Sequence, residues 1–262
     1  MDSAGGVATR DGGRALTGEP AGDIALQKRT VRKEVLTKRS QMNVELREQK
    51  SAKVCERVEE LLVQEFERRN VLAPAVAHDG AKQQKAHSTC AAPVVALYSA
   101  FGSELSLDSL VACVESHGWQ IAMPCMISEA SSNTGAKDAV TTSTSSAHAK
   151  KQSAEMVFVR VSCEQAIKRE LPFLSSPASA IAACELQELE VLKPSQIDAM
   201  IVPLVSFDVQ GARLGYGGGN YDRYIPQLKP ECFVVAVAFE EQRVESLPCE
   251  SFDCTVEQVV FA

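Results

Sequence analysis

The stretch FDVQGARLGYGGGNYDRY, residues Phe207 to Tyr224, contains five glycines within nine positions. Because glycine lacks a Cβ atom, such a loop lets a bound group approach the backbone and can turn successive N–H groups toward an anion. The apolar run MIVPLV, residues 200–205, precedes the loop and predicts a buried strand. Strand, glycine-rich loop and short polar helix form a common phosphate-binding arrangement, and a plain surface turn is the alternative.

Two standard phosphate motifs do not fit this loop. The Walker A pattern places a lysine after its last glycine, and no lysine follows any glycine here. The dinucleotide pattern G-x-G-x-x-G would run through Gly215 and Gly217 to Asn220, so its third glycine is missing. That motif also belongs to the first βα turn of its fold, whereas this loop lies late in the chain. The loop is therefore a candidate phosphate site of another type.

Length and composition favour an ordinary globular protein. The chain has 262 residues, enough for one sizeable core, and its net charge of −7 argues against a general role in nucleic-acid binding. No apolar run approaches the about 18–20 residues of a membrane span, and the N-terminus lacks the apolar region of a secretory signal. The nine cysteines are dispersed and form no C-x-x-C pair, which favours reduced thiols over disulfides or a zinc site. We expect a cytoplasmic protein, with a mitochondrial location as the alternative.

The chain divides into a leader and one domain. Residues 1–22 lack periodicity and predict a disordered leader, and residues 23–262 predict a single α/β domain. Two stretches of small and polar residues, at about 73–92 and 128–154, predict low-complexity insertions. The domain opens with a helical segment that starts near Asp23, breaks near Ser40 to Asn43, and resumes to about Asn70.

Apolar runs alternate with helical patterns over the rest of the domain. Strand Val94–Tyr98, helix Ser106–Ser116 and strand Trp119–Met126 predict a β-α-β unit with parallel strands. Further strands are predicted at 156–161, 197–205, 233–239 and 255–260. The pattern predicts an α/β fold of three layers, α/β/α, with a mainly parallel sheet.

Charged residues suited to a polyphosphate and a metal ion fall near one edge of that sheet. Ligands bind at the carboxyl ends of parallel strands, where the loop after residue 205 should lie. Lys28, Arg32 and Arg213 are cations that suit phosphate. Asp222 and Asp253 are hard oxygen ligands that suit Mg²⁺, which takes one or two carboxylates together with phosphate oxygens.

Plainer roles remain open for the same residues. Glu104 follows the first strand and could accept hydrogen bonds from a ligand rich in N–H groups, or it could be a solvated loop acid. Asp222 could cap a helix, and Asp253 could lie on the surface. The basic cluster at residues 28–33 could be a solvated helix face.

The loop resembles a known motif. Its sequence is similar to the pattern F-D-x-x-G-x-R-L-G-x-G-x-G-Y-Y-D of 5-formyltetrahydrofolate cyclo-ligases, also called methenyltetrahydrofolate synthetases. The matching positions are Phe207, Asp208, Gly211, Arg213, Leu214, Gly215, Gly217, Gly219, Tyr221 and Asp222. Four further segments resemble the family in the same order: KRTVRKEV from residue 28, LYSAFGSELSLDSL from 97, VAVAFEEQRVESLP from 235 and SFDCTVEQVV from 251. The similarity covers most of residues 24–262 outside the insertions.

The resemblance implies a ligase that uses ATP and Mg²⁺ to convert 5-formyltetrahydrofolate to 5,10-methenyltetrahydrofolate, with phosphorylation of the formyl oxygen and attack by N10. It implies that Arg213, Lys28 and Arg32 act on the phosphates. The implied ATP-binding residues are Lys28, Arg29, Thr30, Val31, Arg32, Arg213, Leu214, Gly215, Tyr216, Gly217, Gly218, Gly219, Asn220 and Tyr221. The implied substrate contacts are Ser99, Glu104, Tyr216 and Asn220, and the implied metal ligands are Asp222 and Asp253.

The expected partner is a small molecule, 5-formyltetrahydrofolate with or without a polyglutamate tail, and we expect a monomer without nucleic-acid or membrane partners. Three positions depart from the family pattern. Asn220 replaces the first tyrosine of Y-Y-D, Cys125 replaces a frequent arginine or lysine, and residues 174–184 lack a G-x-x-E-P-like segment. A diverged, non-catalytic relative that binds folate or nucleotide is therefore the main alternative. A different α/β enzyme, such as a dehydrogenase or a sugar-phosphate isomerase, is the third.

Overall fold

A computed structural model describes residues 6–9, 21–72, 92–128, 154–182, 188–250 and 253–262. The predicted insertions at about 73–92 and 128–154 lie almost wholly outside these ranges and stay predictions. In the part of the chain that the structure describes, no helix is both long and apolar enough to cross a membrane.

Two long helices open the domain. Helix α1 spans Ala21–Gln41 and α2 spans Val44–Leu72. The break between them falls where the sequence predicts it, because the Asn43 side chain accepts a hydrogen bond from the backbone N–H of Glu45 at 2.8 Å and so caps α2. Asp23, the predicted N-cap, instead lies inside the first turn of α1. Its negative charge there still interacts favourably with the positive end of the helix dipole.

The predicted β-α-β unit is confirmed. Strand β2, Val94–Ala96, is followed by α3, Asp108–Ser116, and by β3, Gln120–Ser128, which pairs with β2 in parallel. Helix α3 turns Leu110, Val111 and Val114 toward the core, since residues three and four apart share one helix face.

The remaining strands complete a mainly parallel sheet, as predicted. They are β1 Gly6–Thr9, β4 Glu155–Val161, β5 Ala180–Ala182, β6 Val191–Leu192, β7 Ala199–Pro203, β10 Phe233–Ala238 and β11 Gln258–Phe261. The order is β1-β11-β10-β7-β2-β3-β4-β6, with β5 beside β3. Strands β11, β10, β7, β2 and β3 run parallel, and β1, β4 and β6 run antiparallel to their neighbours. The central strands are apolar throughout because both sheet faces are covered.

Two features differ from the sequence prediction. Gly6–Thr9, predicted to lie in a disordered leader, pairs antiparallel with β11, whose backbone groups would otherwise end the sheet unpaired. The predicted strand at 197–205 ends at Pro203 and does not run directly into the glycine-rich loop. Between them lies a two-stranded hairpin of β8, Ser206–Phe207, and β9, Arg213–Leu214.

Helices cover the two faces of the sheet unequally. On one face, α2 and α3 pack with α4, Cys163–Lys168, and α5, Pro172–Ser175, over residues such as Ile201 and Val235. On the other, the short helix α6, Asn220–Tyr224, packs over neighbouring strand residues such as Met200. Helix α1 lies near β8 and the Glu240–Gln242 turn. The three layers are thus present, with a thin second helical layer.

Candidate functional site

The candidate site is a cavity of about 670 Å³ at the carboxyl ends of β2, β3 and β7. Parallel strands end together at this edge, so the segments that follow them are brought into one wall. The walls include the glycine-rich loop, the start of α1 and the segment before β11. Of the predicted site residues, those in the wall are Lys28, Arg32, Ser99, Glu104, Arg213, Leu214, Gly215, Tyr216, Gly217, Gly218, Gly219, Asn220, Tyr221, Asp222 and Asp253.

Helix α1 contributes only two of its five predicted residues. Lys28 and Arg32, four residues apart, share the helix face that meets the cavity. Arg29 and Thr30 are exposed, and the Thr30 hydroxyl donates to the Leu26 carbonyl of its own helix at 3.1 Å. Val31 packs into the small apolar cluster of Ala212, Leu214 and Leu247. The structure thus places Arg29, Thr30 and Val31 away from the cavity wall.

Glycine is required at two positions of the loop. Gly217 has φ +100°, and a Cβ atom there would lie 3.5 Å from Cζ of Arg32. Arg32 Nε donates to the Gly215 carbonyl at 2.7 Å, so the guanidinium lies directly against the loop. Gly219 has φ +64° and begins α6, and a Cβ atom there would lie 3.0 Å from the Arg223 guanidinium. Positive φ therefore favours glycine at both positions, and at Gly219 the missing Cβ atom also leaves room for the Arg223 guanidinium.

The buried carboxylate of Asp208 fixes the hairpin that leads into this loop. One of its oxygens accepts from the backbone N–H of Gln210 at 2.9 Å and of Ala212 at 3.1 Å, and the other accepts from Leu247 N–H at 3.0 Å. Asp208 is fully buried. The sequence indicated Asp208 only as a motif match, since a partner 39 residues away cannot be read from local pattern.

Arg213 lies on strand β9 of this hairpin, and its side chain forms a salt bridge with Asp222. Its Nη2 donates to Asp222 Oδ1 at 2.7 Å, and the side chain of Arg213 is 2% exposed. The same oxygen of Asp222 accepts from the backbone N–H of Cys254 at 3.2 Å. Buried Nε of Arg213 has no hydrogen-bond partner among the described residues. Because a buried donor is costly to leave unpaired, this N–H is a cost of holding the Arg213 guanidinium in place.

Lys28 forms a salt bridge with Asp253, the second predicted metal ligand. Its Nζ lies 2.6 Å from Asp253 Oδ2 and 2.7 Å from Glu250 Oε2. Burial lowers the pKa of Lys28, but hydrogen bonds to Asp253 and Glu250 outweigh burial and leave that pKa raised. Glu250 lines the cavity and was missed from the sequence, although it lies three residues before Asp253. Lys28 is therefore held charged at the cavity wall.

No preassembled metal centre is present in the described ranges, where no group of three or more His, Cys, Asp or Glu side chains is placed to hold an ion. Asp222, Asp253 and Glu250 nevertheless bring hard oxygen donors to one cavity. The first two are paired with cations, Arg213 and Lys28. This donor set fits Mg²⁺, which retains waters and shares phosphate oxygens with few carboxylates.

The opposite wall is aromatic and surrounds Glu104. Burial raises the pKa of Glu104, although its hydrogen bonds with the Phe101 backbone N–H and with Tyr216 act in the other direction. The Tyr216 ring lies 5.3 Å from the Phe101 ring, centroid to centroid. Burial, followed by the nearby Glu104 charge, raises the pKa of Tyr216 to about 12. Glu104 is thus a partly desolvated acceptor beside flat apolar surfaces.

Ser99 and Asn220 line the cavity but already have protein partners. The Ser99 hydroxyl donates to the Leu174 carbonyl at 2.6 Å. Asn220 accepts from Arg223 Nη2 at 2.7 Å and donates to Met126 Sδ at 3.5 Å. Arg223, which follows the loop in the sequence, therefore brings a further cation to the wall where the family pattern has a tyrosine. Cys125 is buried and does not line the cavity.

Comparison with known proteins identifies the family. A model of the 5-formyltetrahydrofolate cyclo-ligase family matches residues 65–262. A 5-formyltetrahydrofolate cyclo-ligase of Haemophilus influenzae is 41% identical over 70 residues, which are 26% of this chain and 37% of that protein. That of Escherichia coli K12 is 42% identical over 77 residues, 29% of this chain and 42% of that protein. The chain thus matches about two fifths of the length of these curated relatives.

Two solved structures share the fold. A 5,10-methenyltetrahydrofolate synthetase from Mycoplasma pneumoniae superposes with a TM-score of 0.53 at 20% identity, covering 89% of this chain and 97% of that one. A 5,10-methenyltetrahydrofolate synthetase from Aquifex aeolicus gives 0.54 at 25% identity, covering 89% of each. Because the family model extends over about three quarters of the sequence, the chain belongs to the 5-formyltetrahydrofolate cyclo-ligase family.

Proposed function

We propose that this protein is an ATP- and Mg²⁺-dependent 5-formyltetrahydrofolate cyclo-ligase, which forms 5,10-methenyltetrahydrofolate, ADP and phosphate. The observation that carries the proposal is the meeting of three cations, Lys28, Arg32 and Arg213, with the glycine-rich loop and Glu104 in one cavity. Cations and a glycine-rich loop suit a polyphosphate, and a desolvated carboxylate suits a ligand rich in N–H groups. Membership of the cyclo-ligase family supports the proposed substrate and the proposed reaction.

The phosphate side of the site is formed by α1 and the loop. Lys28, Arg32 and Arg213 would bind the ATP phosphates, and the backbone of residues 215–221 would lie against them. Arg32 is already held by the Gly215 carbonyl at 2.7 Å, and Arg213 by Asp222 at 2.7 Å. Because both guanidinium groups are positioned before the ligand arrives, little side-chain ordering is needed on binding.

Asp222 and Asp253 would hold Mg²⁺, directly or through water, with Glu250 beside them. The ion would neutralise charge on the phosphates during transfer. Lys28 now bridges Asp253 and Glu250, so we propose that its ammonium moves toward phosphate when the carboxylates take the ion. The number and hard character of these donors support this assignment.

The folate side would be formed by Glu104 and the aromatic residues around it. Glu104 would accept hydrogen bonds from N–H groups of the reduced pterin, and Tyr216 would border the same group. A buried carboxylate acceptor gives selectivity, since a ligand without the matching donors would leave it unpaired.

The chemistry requires activation of a poor electrophile. The formyl oxygen takes the γ-phosphoryl group of ATP, so a P–O bond forms and the bond to ADP breaks. N10 of the same folate then attacks the formyl carbon, the C–O bond breaks, and phosphate leaves with that oxygen as N10 loses its proton. The cations of the site would stabilise the transferred phosphoryl group, and the cavity would hold N10 near the formyl carbon.

The proposal is tested with purified protein, 5-formyltetrahydrofolate, ATP and Mg²⁺, by the absorbance of the methenyl product and by the amount of ADP. We expect one ADP per product and no product without ATP. Folded protein that forms no product would contradict the proposal. Binding of 5-formyltetrahydrofolate without turnover would favour the alternative of a non-catalytic relative, which the Asn220 replacement motivates.

A further inference from the structure

Arg39 is a buried cation that lies just behind the cavity wall. It is 3% exposed and sits near the end of α1, seven residues after Arg32 and on the same face. It does not line the cavity. Burying a guanidinium costs desolvation free energy. The contacts that compensate for this cost therefore indicate the role of Arg39.

Its contacts reach two different parts of the site. Nη2 donates to the Tyr216 hydroxyl at 2.5 Å, and Nε donates to the Ser103 hydroxyl at 3.0 Å. Its Cζ also lies 5.7 Å from the centroid of the Tyr216 ring, within the range of a cation–π interaction. Tyr216 belongs to the glycine-rich loop, and Ser103 belongs to the turn that carries Glu104.

That turn is itself a closed unit. The Glu104 backbone N–H donates to the Phe101 carbonyl at 3.1 Å, and the Phe101 N–H donates to the Glu104 carboxylate at 3.1 Å. Tyr216 packs against the Phe101 ring of that turn, with 5.3 Å between the ring centroids. The guanidinium fork therefore connects the loop to the turn both directly and through Tyr216.

We propose that Arg39 is a positioning residue that holds the glycine-rich loop and the Glu104 turn in register, so that both halves of the site are formed before ligands bind. A planar fork with several donors can hold two acceptors at once, which a single ammonium does less well. The roles of the two halves rest on the function proposed above, but the link between them is a property of the ligand-free chain.

Amide hydrogen exchange of the ligand-free protein tests the link without activity. Arg39→Met keeps much of the side-chain volume and removes both hydrogen bonds. We expect exchange to rise about tenfold or more at the Phe101 and Glu104 amides, which donate hydrogen bonds within the turn, because a hydrogen bond to a charged group contributes at least about 1.4 kcal/mol. In the exposed residues 215–219, we expect the backbone ¹⁵N order parameters to fall. Amides of β7 and β10 should be unchanged. Tyr216→Phe should affect 215–219 more than 101–104, because the Ser103 bond remains.

The matched control is Lys38→Met, which removes an exposed cation from the adjacent position. It should change neither segment. The proposal is overturned if Arg39→Met leaves both segments unchanged, if it raises exchange uniformly across the sheet, or if Lys38→Met has the same effect.

A kinetic arm separates this claim from the proposed function. If the cyclo-ligase activity is present, Arg39→Met should raise KM for both ATP and 5-formyltetrahydrofolate, and Arg39→Lys should restore at most one of them. If KM for neither substrate changes, the positioning role is wrong. If the wild type has no turnover, the proposed function fails while the exchange experiment still decides whether Arg39 links the two segments.

Discussion

Removing the buried carboxylate of Asp208 should strongly destabilise the protein. Its two oxygens accept three backbone hydrogen bonds, from Gln210, Ala212 and Leu247. The bonds from Ala212 and Leu247 are buried, whereas the bond from Gln210 is only partly buried. Asp208→Ala would therefore remove the carboxylate that accepts from two buried N–H groups, next to the hairpin that carries Arg213 to the site.

The magnitude follows from those bonds. An unsatisfied buried N–H costs about 1–3 kcal/mol, and a partly exposed hydrogen bond is worth about 1 kcal/mol. Asp208→Ala should thus lower the free energy of unfolding by about 3–7 kcal/mol. Asp208→Asn keeps one acceptor oxygen for Gln210 and Ala212 but turns an amide N–H toward that of Leu247, so its loss should be about 1–3 kcal/mol.

Urea unfolding of the wild type and both variants measures this difference. Glu245→Gln, the same acid-to-amide change at an exposed position, is the matched control and should shift stability by less than about 0.5 kcal/mol. Equal losses for Asp208→Ala and Asp208→Asn, or losses no larger than the control, would refute the reasoning.

Three further predictions concern the cavity. Burial raises the pKa of Glu104, so the folded state binds that proton more tightly and this contribution to stability is lost as pH rises through the folded pKa. In urea unfolding, Glu104→Gln should therefore gain stability relative to the wild type as pH rises from the ordinary glutamate pKa of 4.5 through the raised folded pKa, and it should lose activity; a pH-independent difference would argue against this. Gly217→Ala should strain a backbone at φ +100° beside Arg32 and weaken ATP binding by calorimetry, whereas Gly118→Ala, at φ +70° with open space, should cost stability only. Arg213→Met should lower kcat/KM for ATP about 10- to 100-fold, with Arg213→Lys recovering part, and an unchanged value would remove Arg213 from the phosphate site.

The elements of the fold were predictable where the pattern is local. The β-α-β unit of β2, α3 and β3 follows from two apolar runs around an amphipathic helix, and Asn43 marks the break between α1 and α2. Strand β1 was not predictable, because four residues of weak pattern pair with β11 at the far end of the chain. The hairpin of β8 and β9 was also missed, because each strand has only two residues and shows no alternating pattern, although local hydrogen bonds close its turn.

The residues of the candidate site also divide into those with a local sequence signal and those without one. Lys28 and Arg32 were expected from the basic cluster on the first helix and from the family resemblance, and they line the cavity. The helix residues predicted together with them do not line the cavity. Successive helix residues point about 100° apart, so Arg29 faces away from the cavity. Glu250 and Arg39 were missed, since their partners lie 222 and 177 residues away in sequence. Long-range partners of buried charges are set by packing, which local sequence does not encode.

If this cavity transfers the γ-phosphoryl group of ATP to the formyl oxygen and closes the folate ring, the formyl oxygen must leave with the released phosphate. The most direct measurement uses 5-formyltetrahydrofolate labelled with ¹⁸O in the formyl group, together with ATP and Mg²⁺, and follows the label by mass spectrometry of the released phosphate. We expect one ¹⁸O atom in phosphate for each methenyltetrahydrofolate formed. Label released into water, or product formed without ATP, would contradict it.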